Sequence, residues 1–218
     1  MFEAALPRPD GVHINSDHTE FSMETRSWGR LDIRTPLVGE HQAVNGAMAL
    51  AMLEHLPEAM RPDRDAVVQG ALRVEHHGRD QIEVIDGGSW LLDVAHNTAG
   101  MRSLVDTLRR LDLPRPFVAL VGILSDKDWH NILPPLFEQV DRAVLTLPPT
   151  APPDRRWDPE HAAAEIGSLT TVHHDPDFEQ AFAQARALAG SGTVIVTGSV
   201  HTVGAALRLL EREPLTDR

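Results

Sequence analysis

Residues 81–97 read QIEVIDGGSWLLDVAHN, and this stretch decides the fold. Gln81 to Ile85 and Trp90 to Val94 are short apolar-rich runs flanking Asp86-Gly87-Gly88, a strong hairpin signal. Directly after them Met101, Leu104, Val105, Leu108 and Leu111 recur at helical spacing and mark one buried stripe. Phe117 to Leu124 is a near-continuous apolar strand, the pattern of a strand covered on both faces. Further on, the pattern predicts a helix over 129–140, kinked or restarted by Pro134 and Pro135, and a strand from Ala143 to Leu147. A proline-rich loop over 148–159, a short helix and a weak strand at Thr170 to His173 follow. A helix carrying Phe178, Ala181, Phe182, Ala185 and Leu188, the strand Thr193 to Thr197, and a last helix with Val203, Leu207 and Leu210 complete the run. Strand and helix alternate about five times after one hairpin, which predicts an α/β fold: a mostly parallel sheet with helices on both faces.

Working back toward the N-terminus, the pattern changes. Residues 1 to about 38 read as short antiparallel strands, with Val12 and Ile14, Phe21 and Met23, and Leu31 and Ile33 alternating between turn signals at Asp10-Gly11 and Trp28-Gly29. A helix from about His41 to Leu56 and a second from about Asp65 to Val74, after Pro62-Asp63, follow. This first part has little apolar surface of its own and reads as the end of a domain, so the division expected is 1–74 and 75–218.

Composition narrows the function. The 218 residues are 42% hydrophobic and 24% charged, the balance of a globular protein. No apolar run approaches the ~18 residues a membrane span needs. No basic-then-apolar secretory pattern opens the chain, and the cytoplasm is the default compartment. The formal charge of -12 argues against a basic groove for nucleic acid. The absence of cysteine excludes disulfides, thiolate metal sites and a cysteine nucleophile. Of the 20 basic residues only Lys127 is a lysine, which singles it out, since a compact ammonium and a guanidinium are not equivalent ligands.

Ligands of open parallel sheets bind at the carboxyl ends of the strands. There the sequence places Asp93, Ala95, His96 and Asn97 after one strand, Ser125 to Asp128 after the apolar strand, and Gly198-Ser199 after the last. The first cluster suits a ribose hydroxyl, a phosphate or a metal, although Asn97 or Thr98 alone would equally serve as a helix cap. Asp126-Lys127-Asp128 reads either as a ligand site or as a self-neutralised turn. Gly198-Ser199 offers backbone N–H groups to an anion, but His201 stands where a nucleophile elbow needs glycine. The pairs His76-His77 and His173-His174 alternate faces in a strand and lack helical zinc spacing, so no metal site held by this chain is expected. Neither a glycine-rich phosphate loop ending in Gly-Lys-Ser/Thr nor a dinucleotide fingerprint is present in these residues.

In order, the chain carries Gly39-Glu40-His41-Gln42-Ala43-Val44-Asn45, Gly78-Arg79, Leu92-Asp93-Val94-Ala95-His96-Asn97, Gly122-Ile123-Leu124-Ser125-Asp126-Lys127-Asp128 and Thr197-Gly198-Ser199. From about residue 30 onward this series resembles the second half of the folylpolyglutamate synthase/dihydrofolate synthase family, within the Mur-ligase group. The resemblance implies a Rossmann-like glutamate-ligase domain with an N-terminal hairpin, preceded by the tail of an ATPase domain. It implies an ATP- and Mg2+-dependent ligase that joins L-glutamate to a folate or dihydropteroate carboxylate through an acyl phosphate. By position, Asn45, Arg79, Asp93 and His96 match ATP contacts; Lys127 and His96 match the reacting side, and Ser199 and Asp126 match a glutamate site. The sequence departs from the family at His77 and Thr98, where proline is usual, and at Gly46, where alanine is usual. The resemblance places the phosphate loop and the metal ligands in a part not contained in these residues, so catalysis by the chain alone is expected to be incomplete. The partners it implies are ATP, glutamate and the folate, plus a phosphate-loop-bearing N-terminal half. Three other readings stand beside it: a non-catalytic nucleotide-binding or regulatory remnant, a Mur-type ligase fragment acting on a cell-wall precursor, and an unrelated α/β hydrolase or metal enzyme using Asp93, His96 and Asp126.

Overall fold

The computed structural model describes residues 7–85, 87–166 and 170–210. It divides into two compact units, one ending at His76 and one beginning at His77.

In the first unit, strands β1 (Asp10–Ile14), β2 (Thr19–Thr25) and β3 (Gly29–Thr35) form an antiparallel sheet in that order. The β2–β3 register pairs Phe21 with Ile33 and Met23 with Leu31, which puts these four side chains on one face. Helices α1 (Glu40–Glu54) and α2 (Arg64–Leu72) cover that face with Ala43, Ala47, Leu50 and Val67. A Cβ on Gly46 would come within 2.8 Å of Phe21 Cζ, so a glycine at this position of α1 makes room for the ring. Asp63 caps α2, its carboxylate accepting from the Ala66 N–H at 2.7 Å. The Glu54 carboxylate accepts from the N–H groups of Arg26 and Ser27 and ties the β2–β3 turn to α1.

In the second unit, β4 (Gln81–Ile85), β5 (Gly88–Leu92), β6 (Phe117–Val121), β7 (Arg142–Leu145), β8 (Thr171–His174) and β9 (Thr193–Thr197) form one sheet in the order β4-β5-β9-β6-β7-β8. All neighbours are parallel except β4 and β5, the expected hairpin. Asp86 of that turn lies outside the described residues. Helices α3 (Thr98–Arg110), α4 (Trp129–Ile132), α5 (Pro134–Phe137) and α6 (Pro159–Ile166) pack on one face, against Leu91, Ala119, Val121, Ala143, Leu145 and Ile195. Helices α7 (Phe178–Ala189) and α8 (Val200–Leu209) pack on the other, against Trp90, Leu92, Val118, Leu120, Val144 and Val196. The period-2 alternation of a strand thus divides two cores with little polar surface between them. No described helix is long and apolar enough to cross a membrane.

Two expectations are corrected. The apolar strand does not run to Leu124: the ladder stops after Val121, and Gly122 makes the last bond to β9, its N–H donating to the Thr197 carbonyl. The Thr202 hydroxyl then donates to the Gly122 carbonyl at 2.6 Å, taking that acceptor for α8, while Ile123 and Leu124 stay buried in the loop that follows. Hydrophobicity marked burial here, not strand. His76 and His77, read as a strand pair, lie in an irregular segment and a turn.

Because β5 and β6 continue into helices on one face and β9 into α8 on the other, neighbouring connections diverge at the carboxyl ends of β5, β9 and β6. Such a divergence opens a crevice. Its floor is glycine. Gly198 has φ +104°, and a Cβ there would come within 2.6 Å of the Gly122 carbonyl oxygen, a backbone atom that cannot turn aside. Gly198→Ala is therefore expected to destabilise the chain by roughly 1–3 kcal/mol or more, read as a lower urea midpoint with an unchanged slope.

Candidate functional site

Three strand ends are tied together by backbone. The Ala95 carbonyl, beyond β5, accepts from the Gly198 N–H at 3.1 Å, and Gly122 bonds Thr197. Asp93 sits at the root of this junction. Its N–H continues the ladder to Val196, and its carboxylate turns back to accept from the Ala95 N–H at 2.8 Å and the Asp80 N–H at 3.0 Å. Asp93 is 6% exposed, and its two bonds leave one lone pair on each oxygen.

Arg79 reaches the same corner through Gly78. The Gly78 carbonyl accepts from the Val94 N–H at 2.9 Å, and Gly78 has φ +69°. A Cβ there would press on Val203 at 2.8 Å and Val94 at 3.1 Å, so the Gly-Arg pair is a packing requirement as well as a motif. Arg79 is half-buried, and its charge favours the ionised form of Asp80 and Asp93. His96 is fixed by Nδ1, 2.8 Å from the Val94 carbonyl. A carbonyl only accepts, so Nδ1 carries the proton and Nε2 is left for a ligand. Asn97 takes the capping role: its side chain accepts from the Gly100 N–H at 2.8 Å. Arg79, Asp93 and His96 are thus brought together by one turn and one strand end.

Burial dominates the acids at this corner. It raises the Asp93 carboxyl above the usual value in spite of two N–H bonds, and it raises Asp80, which also faces the Asp93 charge, further still. Of the pair, Asp80 holds its proton the more strongly, because burial and the neighbouring Asp93 charge both act on it.

Asp126 and Lys127 lie in a turn after β6 rather than at its end. Lys127 Nζ is 3.1 Å from Asp126, and Arg155 grips the same carboxylate, with Nη2 2.8 Å from each oxygen. Arg155 and then Lys127 hold the Asp126 carboxyl below the usual range. The Ser125 N–H donates to the Arg155 carbonyl, so the proline-rich loop is the partner of this turn. Sequence reading missed Arg155: it is 29 residues away in a loop, where no periodicity marks it. Lys127 is 29% exposed and can leave Asp126 for a ligand while Arg155 keeps that carboxylate neutralised.

Ser199 is 3% exposed and caps α8, accepting from the Thr202 N–H at 3.1 Å with its Oγ 2.9 Å from Thr202 Oγ1. Its hydroxyl is occupied within the chain, and what it presents outward is backbone at the start of α8. Asn45 belongs to the first unit, exposed on α1, with Nδ2 3.3 Å from Gln42 Oε1. Both line a largely apolar cavity of about 460 Å³ that includes Phe21, Gly46 and Val67. Among the described residues no group of three His, Asp or Glu side chains is placed to hold a metal ion.

A sequence profile for the Mur ligase, glutamate ligase domain, matches residues 73–200. The chain is 33% identical over 202 residues to the dihydrofolate synthase/folylpolyglutamate synthase of Mycobacterium tuberculosis, covering 84% of this chain and 41% of that protein. The structure of Mycobacterium tuberculosis folylpolyglutamate synthase complexed with ADP superposes with a TM-score of 0.79 at 30% identity, over 95% of this chain and 48% of that one. A bifunctional folylpolyglutamate synthase/dihydrofolate synthase with Mn, AMPPNP and L-glutamate bound superposes with a TM-score of 0.67 at 30% identity, over 89% of this chain and 45% of that one. The chain therefore spans less than half the length of these relatives.

The buried pair gives the fold a pH dependence of definite sign. Both carboxyls sit above the ordinary aspartate value of 3.8, so the folded chain binds more protons than the unfolded one. Their contribution is full below that value and is lost as pH rises through the folded-state pKa values. Urea unfolding at stepped pH is expected to show the chain losing stability relative to Asp80→Asn as pH rises above about 4.

Proposed function

We propose, from the premise that the chain belongs to the family of Mur ligase glutamate ligase domains, that it supplies the nucleotide- and glutamate-contacting part of an ATP-dependent ligase. The reaction joins the amino group of L-glutamate to a folate or dihydropteroate carboxylate. ATP phosphorylates that carboxylate, the amine attacks the resulting acyl phosphate, and inorganic phosphate leaves as the amide forms. The observation that carries this reading is the convergence of Arg79, Asp93 and His96 at the diverging strand ends.

Each group suits one part of the nucleotide. The remaining lone pairs of Asp93 accept from ribose hydroxyls, and its burial keeps water from competing for them. The Arg79 guanidinium offers paired donors to phosphate oxygens. His96 Nε2 faces out beside them. Asn45, on α1 of the first unit, offers an amide whose donor and acceptor suit the edge of a base. On the reacting side, Lys127 neutralises charge on the transferring phosphoryl group, a role in which positioning and charge matter most. Asp126, already gripped by Arg155, orients Lys127 and faces the incoming amine. The glutamate carboxylate takes the free backbone N–H groups at the start of α8, beside Ser199. Mg2+ enters with the nucleotide, where it would neutralise phosphate charge; among the described residues none form a cage for it. The phosphate loop the reaction requires is a motif these 218 residues do not contain.

Calorimetric titration with Mg-ADP tests the reading. The chain is expected to bind, Arg79→Ala to weaken binding about tenfold or more, and Asp93→Ala to reduce it below detection. Equal affinity in all three proteins would sink the assignment. Lys127→Ala is expected to leave ADP affinity within about twofold, because Lys127 serves the transferred group rather than the product nucleotide.

A further inference from the structure

The short segment between Gly78 and β4 takes an uncommon conformation at residue 80. Among the described residues Asp80 is the only non-glycine with positive φ, at +45°. Aspartate tolerates this region better than most residues because its short side chain can hydrogen-bond nearby backbone. Here the partner is a different element. The Thr107 hydroxyl, 27 residues away on α3, lies 2.7 Å from Asp80 Oδ2. Asp80 is 1% exposed and Thr107 2%, so water does not compete for this bond. With the backbone so held, the Asp80 N–H meets Asp93 Oδ2 at 3.0 Å.

We propose that Asp80 is a positioning residue for Asp93: its bond to Thr107 clamps residue 80 in the left-handed conformation, and that conformation aims the residue 80 N–H at the Asp93 carboxylate. The ligand that benefits rests on the ribose reading above; the clamp itself is a matter of this chain's geometry. Leucine or alanine at position 80 would satisfy neither end of it. Glycine would adopt the backbone but leave it free.

The groups facing the pair fix how its charge is shared. Arg79, on the same segment, faces both acids; His96, beyond β5, faces Asp93; Thr107 approaches Asp80 from α3. Two adjacent buried carboxyls cannot both ionise cheaply. Asp80 therefore stays neutral while the Asp93 charge is presented to the ligand. Ionisation of Asp80 as pH rises would set a second negative charge beside the nucleotide and weaken its binding.

The test combines carboxyl carbon-13 NMR titration from about pH 3 upward with Mg-ADP calorimetry from about pH 6 to pH 9. Asp80→Asn keeps the side-chain acceptor and the tolerance for positive φ but removes the acid. It is expected to leave the Asp93 titration midpoint unmoved, to hold ADP affinity within about twofold at neutral pH, and to abolish the loss of affinity with rising pH. Thr107→Val removes the hydroxyl; it is expected to raise the Asp93 midpoint and to weaken ADP binding about 3- to 10-fold, the scale of one lost hydrogen bond. An Asp93 midpoint unmoved in Thr107→Val overturns the proposal; if that variant does not fold, Asp80→Gly, which can take the backbone conformation but loses the bond to Thr107, decides by the same readout. The two readings separate cleanly. Midpoints that move as stated without ADP binding uphold the clamp and sink the ribose contact. ADP binding with unmoved midpoints does the reverse.

Discussion

The contact on which the site depends is between two pieces of backbone. Gly198 lies so close to the Gly122 carbonyl that no side chain fits between them, and its N–H holds the Ala95 carbonyl at 3.1 Å. That stitch draws the carboxyl ends of β5, β9 and β6 together as their connections part to opposite faces. A looser junction would leave Asp93, His96 and the start of α8 on independent loops. Gly78 solves the same problem at the next layer, packing against Val94 and Val203 so that Arg79 emerges beside Asp93. Glycines within motifs of this kind are selected for approach distance as much as for φ.

Around that frame the electrostatics are arranged by burial more than by pairing. Asp126 lies in a turn, cross-braced by Arg155 and Lys127, where solvent screening limits what the ion pair adds to stability. Its value is positional: it holds the ammonium of Lys127 at 3.1 Å. Asp80 and Asp93 are the opposite case, two acids in a nearly dry corner, where backbone N–H groups and one hydroxyl act beside the Arg79 charge. The lowest-cost state of such a pair is one proton shared unequally.

Much of this was legible beforehand. The hairpin at residues 81–92 and the stripe Met101, Leu104, Val105, Leu108 declared an α/β unit, because periods of 2 and 3.6 are direct consequences of backbone geometry. Asp93 and His96 were legible as well, standing where an apolar strand runs into polar residues. The end of β6 was not. Gly122, Ile123 and Leu124 continue the hydrophobic run, and only the Thr202 hydroxyl on α8 shows that the ladder stops at Val121. Ser199 read as backbone for an anion and, by resemblance, as part of a glutamate site; that its side chain is a buried cap was not legible, since capping depends on the helix start that follows it. Arg155 and Thr107 carried no signal at all, as their partners lie 29 and 27 residues away.

By itself, then, the sequence determined the class of fold, the order of its strands and helices, and which strand ends carry polar groups, because all of these follow from local periodicity and residue type. The sheet order, with β9 inserted between β5 and β6, was a tertiary decision, and so was the placing of three polar clusters along one edge. The protonation of the Asp80–Asp93 pair belongs to the tertiary structure for the same reason. Desolvation and hydrogen-bond donors come from residues distant in the chain, and neither quantity exists until the chain has packed.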